Sequence, residues 1–452
     1  WTRADRPSRM LVEVADNPDF ADARLLRGPL LTPESDYTGK LRVPGSGTVH
    51  YRVTAEDLDG RVTSEPLTGT FRTPPGRGEG VRFVWSGDIA GQGWGINPDL
   101  GGMTIFSAMA DRDPDFFLCS GDTVYADGPL TETVTLPDGR VWRNVVIPEK
   151  LKVAETLTEF RGQFAYNLLD ENLRAFAAAV PQINQWDDHE VTNNWYPGEI
   201  LGDIGPDARY TEKSVDVLAA RAFQAFHEWV PLDPRRAVDG RVYRALPWGP
   251  HVDVFVIDMR TYRDTNGPNT GPSGQILGDE QAAWLVEQIN ASTATWKIVV
   301  ADMPIGVFVP DGETAWEAVA NGQPGSATGR EAEIAGVLSG IRGVPNVVWL
   351  TADVHYTAAH HYSPSRAAFT EFDEFWEFVS GPLNSGAFGP NDLDPTFGPE
   401  AVFVQAPPTA NTSPLDGFQN FGEVEVSPGG EEMTVTLRGL DGGELWSTTF
   451  AR

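Results

Sequence analysis

Cysteine is nearly absent: Cys119 stands alone among 452 residues. One thiol excludes an intramolecular disulfide and any multi-cysteine zinc site. Positive charge is scarce as well. Lys and Arg number 34 against 64 Asp and Glu, a formal net charge of −30. A general nucleic-acid binder or an anionic-membrane binder needs a basic face, and this balance argues against both. Most of the excess acids are expected on a solvated surface. Carboxylate-held metal ions would offset part of the rest. No apolar run approaches the roughly 18 residues of a bilayer span. Internal repeats and low-complexity tracts are missing. The chain opens on Trp1 rather than Met, which leaves room for a removed leader, though none is visible.

What is present suggests two domains. Hydrophobic residues make up 40%, enough for a sizeable core, while 47 Gly and 35 Pro disfavour a single helical bundle. Residues 1–75 read as a small all-β sandwich. Met10–Val14 alternates, and Thr48–Thr54 and Thr68–Thr73 flank a turn at Asp59-Gly60. Pro74–Gly80 has linker composition. Residues 81–452 form the second unit. Short apolar strands are expected at Val81–Trp85, Phe116–Cys119, Gln182–Trp186, Val252–Ile257, Trp296–Ala301 and Val347–Leu350. Between them, Ser214–Val230 and Glu331–Ile341 carry apolar residues at helical spacing. Strand–helix alternation predicts an α/β core. Glu423–Val426, Met433–Leu437 and Leu445–Phe450 read as a terminal meander that completes a sheet. Gly/Pro-rich stretches near 196–210, 262–276 and 310–330 are expected to be long surface loops.

The chemistry gathers where strands end. Ligands of open α/β sheets bind beyond the carboxyl ends of the strands. Those ends carry Asp88, Asp122, Asp187-Asp188-His189, Asp258, Asp302, and Asp353 with His355. Converging carboxylates repel unless cations neutralise them, so a cluster of two or more metal ions is the economical account. Oxygen-rich ligands favour calcium, manganese, magnesium or ferric iron over zinc. Asp122 is a natural bridging ligand, and Gly121 before it permits close backbone approach. Tyr125 reads as a phenolate ligand or as a half-buried aromatic. Asp188 is expected to hold metal, and His189 to donate a proton or contact phosphate. Asn193 and Asn194 hold ligands or cap the loop. Asp353 and His355 alternate in an extended loop, which puts both on one face. Arg260 reads equally as a bidentate phosphate contact or as a group locked to Asp258. His360 and His361 read as ordinary.

These residues fall into ordered motifs: Gly121-Asp122-x-x-Tyr125, Trp186-Asp-Asp-His-Glu190, Asp258-x-Arg260-x-Tyr-Arg263, Asp353-x-His355 and Ser380-Gly-Pro-Leu-Asn-Ser-Gly386. As a set they resemble the PhoD-like alkaline phosphatase/phosphodiesterase family, a branch of the calcineurin-like metallophosphoesterases. The resemblance implies two packed sheets flanked by helices, a secreted or periplasmic location, and a site holding ferric iron and calcium. It implies that Asp122 bridges metals, that Tyr125 binds iron, and that Asp188, Asp353 and His355 complete the ligands. His189 takes the place of the catalytic histidine. One departure stands out. Relatives commonly have a cysteine ligand where this chain has Asp88, so manganese or magnesium is admitted beside iron. Cys119 reads as a buried strand residue rather than a substitute thiolate. Asp302, where relatives often carry Asn or Gln, is expected as a ligand or a supporting group.

The implied activity is metal-dependent hydrolysis of small or polymeric phosphate esters by a metal-bridging hydroxide, with His189 and Arg260 as catalytic groups. Rival readings are a phosphotriesterase or nuclease on the same scaffold, and a non-catalytic calcium-stabilised binding module. No specific nucleic-acid partner is expected, and a monomer is the default.

Overall fold

The computed structural model describes residues 1–233 and 240–452. Strands β1 (Ser8–Ala15), β2 (Arg24–Leu31), β3 (Thr48–Asp57) and β4 (Leu67–Arg72) form an antiparallel sheet, ordered β2-β1-β3-β4. Period-2 alternation turns Met10, Val12 and Val14 inward with Val49 and Val53. The layer facing them is thin. It consists of a short ladder, Thr2–Arg3 against Thr38–Gly39, and of Leu41 and Val43, which pack without joining a strand. Pro44, Gly45 and Gly47 explain that irregularity, because they interrupt regular pairing.

Two larger sheets follow. The first contains β5 (Val81–Ser86), β6 (Phe116–Ser120) and β7 (Gln182–Gln185), which are parallel. The terminal meander, β15 (Asn420–Val426), β16 (Glu432–Gly439) and β17 (Glu444–Ala451), extends it through antiparallel pairing of β15 with β5. The second sheet holds β8 (Arg244–Trp248), β9 (Val252–Val256), β10 (Trp296–Val300), β11 (Val347–Thr351), β12 (Thr357–Tyr362), β13 (Phe375–Val379) and β14 (Pro399–Gln405). Its order is β8-β9-β10-β11-β13-β12-β14, with β9, β10, β11 and β13 parallel. All six strands expected in the α/β core are present, with ends shifted by a residue or so.

The two sheets share one core. Phe83, Trp85 and Leu118 meet Val254, Ile298 and Leu350 between them. Alternate residues point outward. Phe117 packs beneath the helices Ile105–Ala110 (α1) and Glu171–Ala179 (α3), and Val299 and Trp349 beneath Asp279–Ala291 (α5) and Arg330–Gly340 (α6). Burial on both faces is why these strands read as continuous apolar runs. Helix α2 (Leu157–Asn167) starts with a capping box, Thr156 and Glu159 each binding the other's backbone. Helix α4 (Val215–Trp229) buries Leu218, Ala222, Phe226 and Trp229. Cys119 is sealed under the α1–α3 layer, and burial pushes its thiol up to about 12, so it is an inert strand residue. Among the described residues, no helix is long and apolar enough to cross a membrane.

Candidate metal centre

The parallel strands of both sheets end at one edge of the sandwich, and each end turns sharply. Asp88, Asp122, Asp353 and His355 have φ of 61°, 45°, 66° and 59°. Side chains rarely occupy this left-handed region, and each such residue costs on the order of 1–3 kcal/mol. A glycine would relieve the strain, but it would bring no side chain to the edge. Glycine is used where backbones touch. A Cβ on Gly121 would lie 2.4 Å from the Asp187 Cβ, and one on Gly381 would lie 2.1 Å from Asp88 Oδ2. Glu190 then ties two of the loops together. Its carboxylate accepts from the Thr123 and Asp187 amides at 2.6 and 2.8 Å.

Three overlapping groups result: Asp88, Asp122 and His355; Asp122, Asp188 and His189; Asp187, Asp188 and Asp353. Within each, one side-chain atom per residue lies within 4.8 Å of the others. Asp122 belongs to the first two groups and Asp188 to the last two, which is the arrangement of bridging positions. Asp88 is fully buried and both of its oxygens lack a hydrogen-bond partner. A buried carboxylate without donors is costly, and a cation would satisfy it. Burial, with Asp188 and Asp187 adding to it, pushes the Asp122 carboxyl well above its usual range. The same crowding acts on Asp353, through burial and then Asp187. This donor set fits metal ions.

The supporting contacts orient the donors. His355 Nδ1 lies 2.5 Å from the Gly386 carbonyl, so that nitrogen donates and Nε2 is left as the free donor atom. Nε2 faces the Tyr125 hydroxyl at 2.9 Å and Asp88 Oδ1 at 3.2 Å. Burial, then Asp122 and Asp88, hold the Tyr125 phenol well above its ordinary range. Its ring stacks on His189, with centroids 4.3 Å apart. His189 Nδ1 meets Asp127 Oδ1 at 2.8 Å, and Asp127 Oδ2 accepts from the Asn193 amide at 3.0 Å. Burial opposes charge on His189, but Asp127 and Asp188 outweigh it and raise the imidazolium to about 10. The Asn194 amide donates to Asp188 Oδ2 at 2.6 Å, so Asn193 and Asn194 act on the loop through their backbones.

Arg260 departs from the expectation of a phosphate contact. Its guanidinium is fully buried. It meets Asp187 at 2.5 Å, Asp302 at 3.2 Å and Asp353 at 3.4 Å, and also pairs with Glu317. With Asp188 at 3.9 Å, five carboxylates enclose it, so it is spent on neutralising them rather than offered to solvent. It is not locked to the Asp258 side chain by charge either. Asp258 Oδ1 accepts from the Arg260 and Thr261 amides, which makes it a turn residue. Asp302 joins none of the three groups. It accepts from Gln185 Nε2 at 3.1 Å and supports Arg260. His360 lies away in the second sheet, bonded to Glu377 at 3.1 Å.

Sequence reasoning missed Asp127, Glu317 and the Gly386 carbonyl. Asp127 carried a usable signal, since Tyr125-Ala-Asp127 repeats the alternating pattern of Asp353-Val-His355. Glu317 sits inside the long 310–330 loop, where nothing local marks it.

Comparison with known proteins identifies the family and the fold. The PhoD-like phosphatase family matches residues 83–437, and the PhoD-like phosphatase N-terminal domain matches residues 1–75. Alkaline phosphatase D of Bacillus subtilis (strain 168) is 29% identical over 303 residues, covering 63% of this chain and 49% of that protein. The chain thus spans about half the length of this curated relative. Among solved structures, one described as the structure of PhoD superposes with a TM-score of 0.67 at 22% identity, covering 99% of this chain and 83% of that one. Purple acid phosphatase PPD1 from yellow lupin (Lupinus luteus) seeds superposes with a TM-score of 0.60 at 13% identity, covering 99% and 70%. At these identities the structural likeness speaks for the fold. With the family match spanning most of the chain and the carboxylate–histidine cluster standing at its strand ends, this protein belongs to the PhoD-like phosphatase family.

Proposed function

We propose that the chain is a metal-dependent phosphoric ester hydrolase. The observation that carries this reading is the run of three overlapping groups at one sheet edge, two of carboxylates with a histidine and one of carboxylates alone, with Asp88 buried and without a hydrogen-bond partner. Asp88, Asp122, Tyr125, Asp188, Asp353 and His355 would hold the ions. When bound, such ions polarise phosphoryl oxygens and make water a better nucleophile near neutral pH. Hard oxygen donors with one phenol support ferric iron and calcium as the metals. Asp88, a carboxylate where relatives commonly have a thiolate, admits manganese or magnesium.

The chain's own residues handle the proton. Asp127 engages His189 Nδ1, so Nε2 is the atom left to protonate a leaving oxygen. Stacking on Tyr125 fixes the ring plane. Proton donation of this kind contributes about 10²–10⁴-fold. The substrate is a phosphate ester, small or polymeric, and an exported location belongs to the same reading.

Metal-replete protein assayed on nitrophenyl phosphate and bis(nitrophenyl) phosphate, with a chelated control, tests the proposal. Chelator-sensitive turnover supports it, and the faster ester assigns monoesterase or diesterase preference. Fully metallated protein that turns over neither ester would refute it.

A further inference from the structure

Two of the long loops reach the candidate metal centre at a point outside the three ligand groups. A two-stranded hairpin, Pro310–Asp311 against Ala315–Trp316, stands in the 310–330 segment. Asp311 Oδ1 accepts from Asn194 Nδ2 at 3.1 Å, and Asp311 Oδ2 from Asn266 Nδ2 at 2.9 Å. Asn266 belongs to the 262–276 segment, and its Nδ2 also donates to the Asn194 carbonyl at 2.7 Å. Its Oδ1 accepts from Arg263 and Arg330 at 3.0 and 2.8 Å. Acceptors thus meet one end of the Asn266 amide and guanidinium donors the other, which fixes its orientation. An ionised carboxylate only accepts, so the Asn194 amide is fixed the same way.

Arg330 anchors both loops from behind. It is 1% exposed. Its guanidinium donates to the Trp316 and Glu317 carbonyls at 2.9 and 2.8 Å, and to the Asp264 carbonyl at 2.9 Å. The Trp316 amide donates to the Gly267 carbonyl at 2.9 Å. The hairpin and the 262–276 segment therefore form one hydrogen-bonded frame.

Asn194 is where that frame meets the ligands. Its amide donates to Asp188 Oδ2 at 2.6 Å, and its φ is 58°. The left-handed region is uncommon away from glycine, though Asn enters it more readily than most residues. Asp311 holds the side chain and Asn266 the carbonyl, and together they keep the peptide in this conformation with its N–H aimed at Asp188. Asp188 in turn belongs to two of the three groups.

We propose that Asp311 is a positioning residue of the metal centre. By gripping the Asn194 side chain, it fixes the amide that orients Asp188 and so sets how tightly the ions served by Asp188 are held. This role rests on the metal-dependent reading above.

Titrating the metal-free full chain with manganese alone, with free Mn2+ read by electron paramagnetic resonance, tests the role without any hydrolysis assay. Asp311→Ala should raise the manganese concentration for half-occupancy about tenfold, the lower end of the roughly 10–100-fold lost with partners that orient metal ligands. Asn194→Gly keeps the backbone amide and tolerates the positive φ, but removes the side chain that Asp311 holds. It should lose a similar factor, and it carries the test if Asp311→Ala does not fold. The two changes together should bind no more weakly than the weaker single variant, because both break one link. Glu313→Gln removes a charge from the exposed tip of the same hairpin and should bind as wild type does. Wild-type affinity in Asp311→Ala or in Asn194→Gly overturns the role, and so do losses that multiply in the double variant. An equal loss in Glu313→Gln makes the effect one of net charge and overturns it too. A wild-type chain that binds no manganese would instead defeat the metal centre itself, and the positioning role with it.

Discussion

Replacing Arg260 by Met separates two roles that one residue can play at a phosphate site. The guanidinium is enclosed by Asp187, Asp188, Asp302, Asp353 and Glu317. Asp187 and Asp353 belong to candidate metal groups, so bound cations can compensate them. Asp302 and Glu317 belong to none and would be stranded as buried charges. Breaking a buried ion pair from one side costs about 3–5 kcal/mol. Unfolding entropy of roughly 2.1 cal/mol/K per residue, taken over the 452 residues, is about 950 cal/mol/K. The expected fall in Tm is therefore about 3–5 °C, read by thermal unfolding of metal-replete protein. Arg260→Met combined with Asp302→Asn and Glu317→Gln should recover much of the loss, because the stranded charges go with their partner. The KM for nitrophenyl phosphate should stay within about twofold in whatever activity remains, since uniform substrate binding is not what the residue supplies. A variant with unaltered Tm and a KM raised tenfold would show that the guanidinium contacts phosphate, and the enclosed-cation account would be wrong.

His189→Ala should lower turnover about 10²–10⁴-fold with metal content intact; unaltered turnover would remove His189 from the mechanism. Asp127→Asn should lower turnover in the same direction with metal content and KM little changed, and wild-type turnover would dismiss the pair. Asp122→Ala should lose metal and activity together, measured by elemental analysis and assay, because Asp122 is shared by two groups. A metallated, active variant would defeat that assignment. For pH, burial and then Asp394 push the Glu331 carboxyl up to about 7, from an ordinary value near 4.5. A raised carboxyl favours the fold while protonated, so its contribution is full below about 4.5 and is lost as pH rises through 7. The stability difference between Glu331→Gln and wild type should thus shift toward the variant by about 1–3 kcal/mol between pH 4.5 and 8. A pH-independent difference would contradict it.

Much of the fold was legible locally. The apolar runs Val252–Ile257 and Trp296–Ala301 read as strands because burial on both faces leaves a continuous signal, and α4 read as a helix because Leu218, Ala222, Phe226 and Trp229 repeat at its period. The thin second layer of the N-terminal unit was less legible, because Leu41 and Val43 look like strand residues until the Pro and Gly beside them interrupt pairing.

The site divides along the same line. That aspartates close the strands is a one-dimensional pattern, and the ordered motifs make it specific. Which of them meet is not one-dimensional. Asp122 and Asp188 stand between neighbouring groups, whereas Asp258 turns back on its own loop and Asp302 braces Arg260. Composition and spacing determined the fold class, the strand ends and the kind of chemistry, since those follow from periodicity and donor type. Only the tertiary structure decided that Arg260 is enclosed and that Asp127 holds His189. Those depend on distances between residues far apart in the chain, and no local pattern encodes such distances.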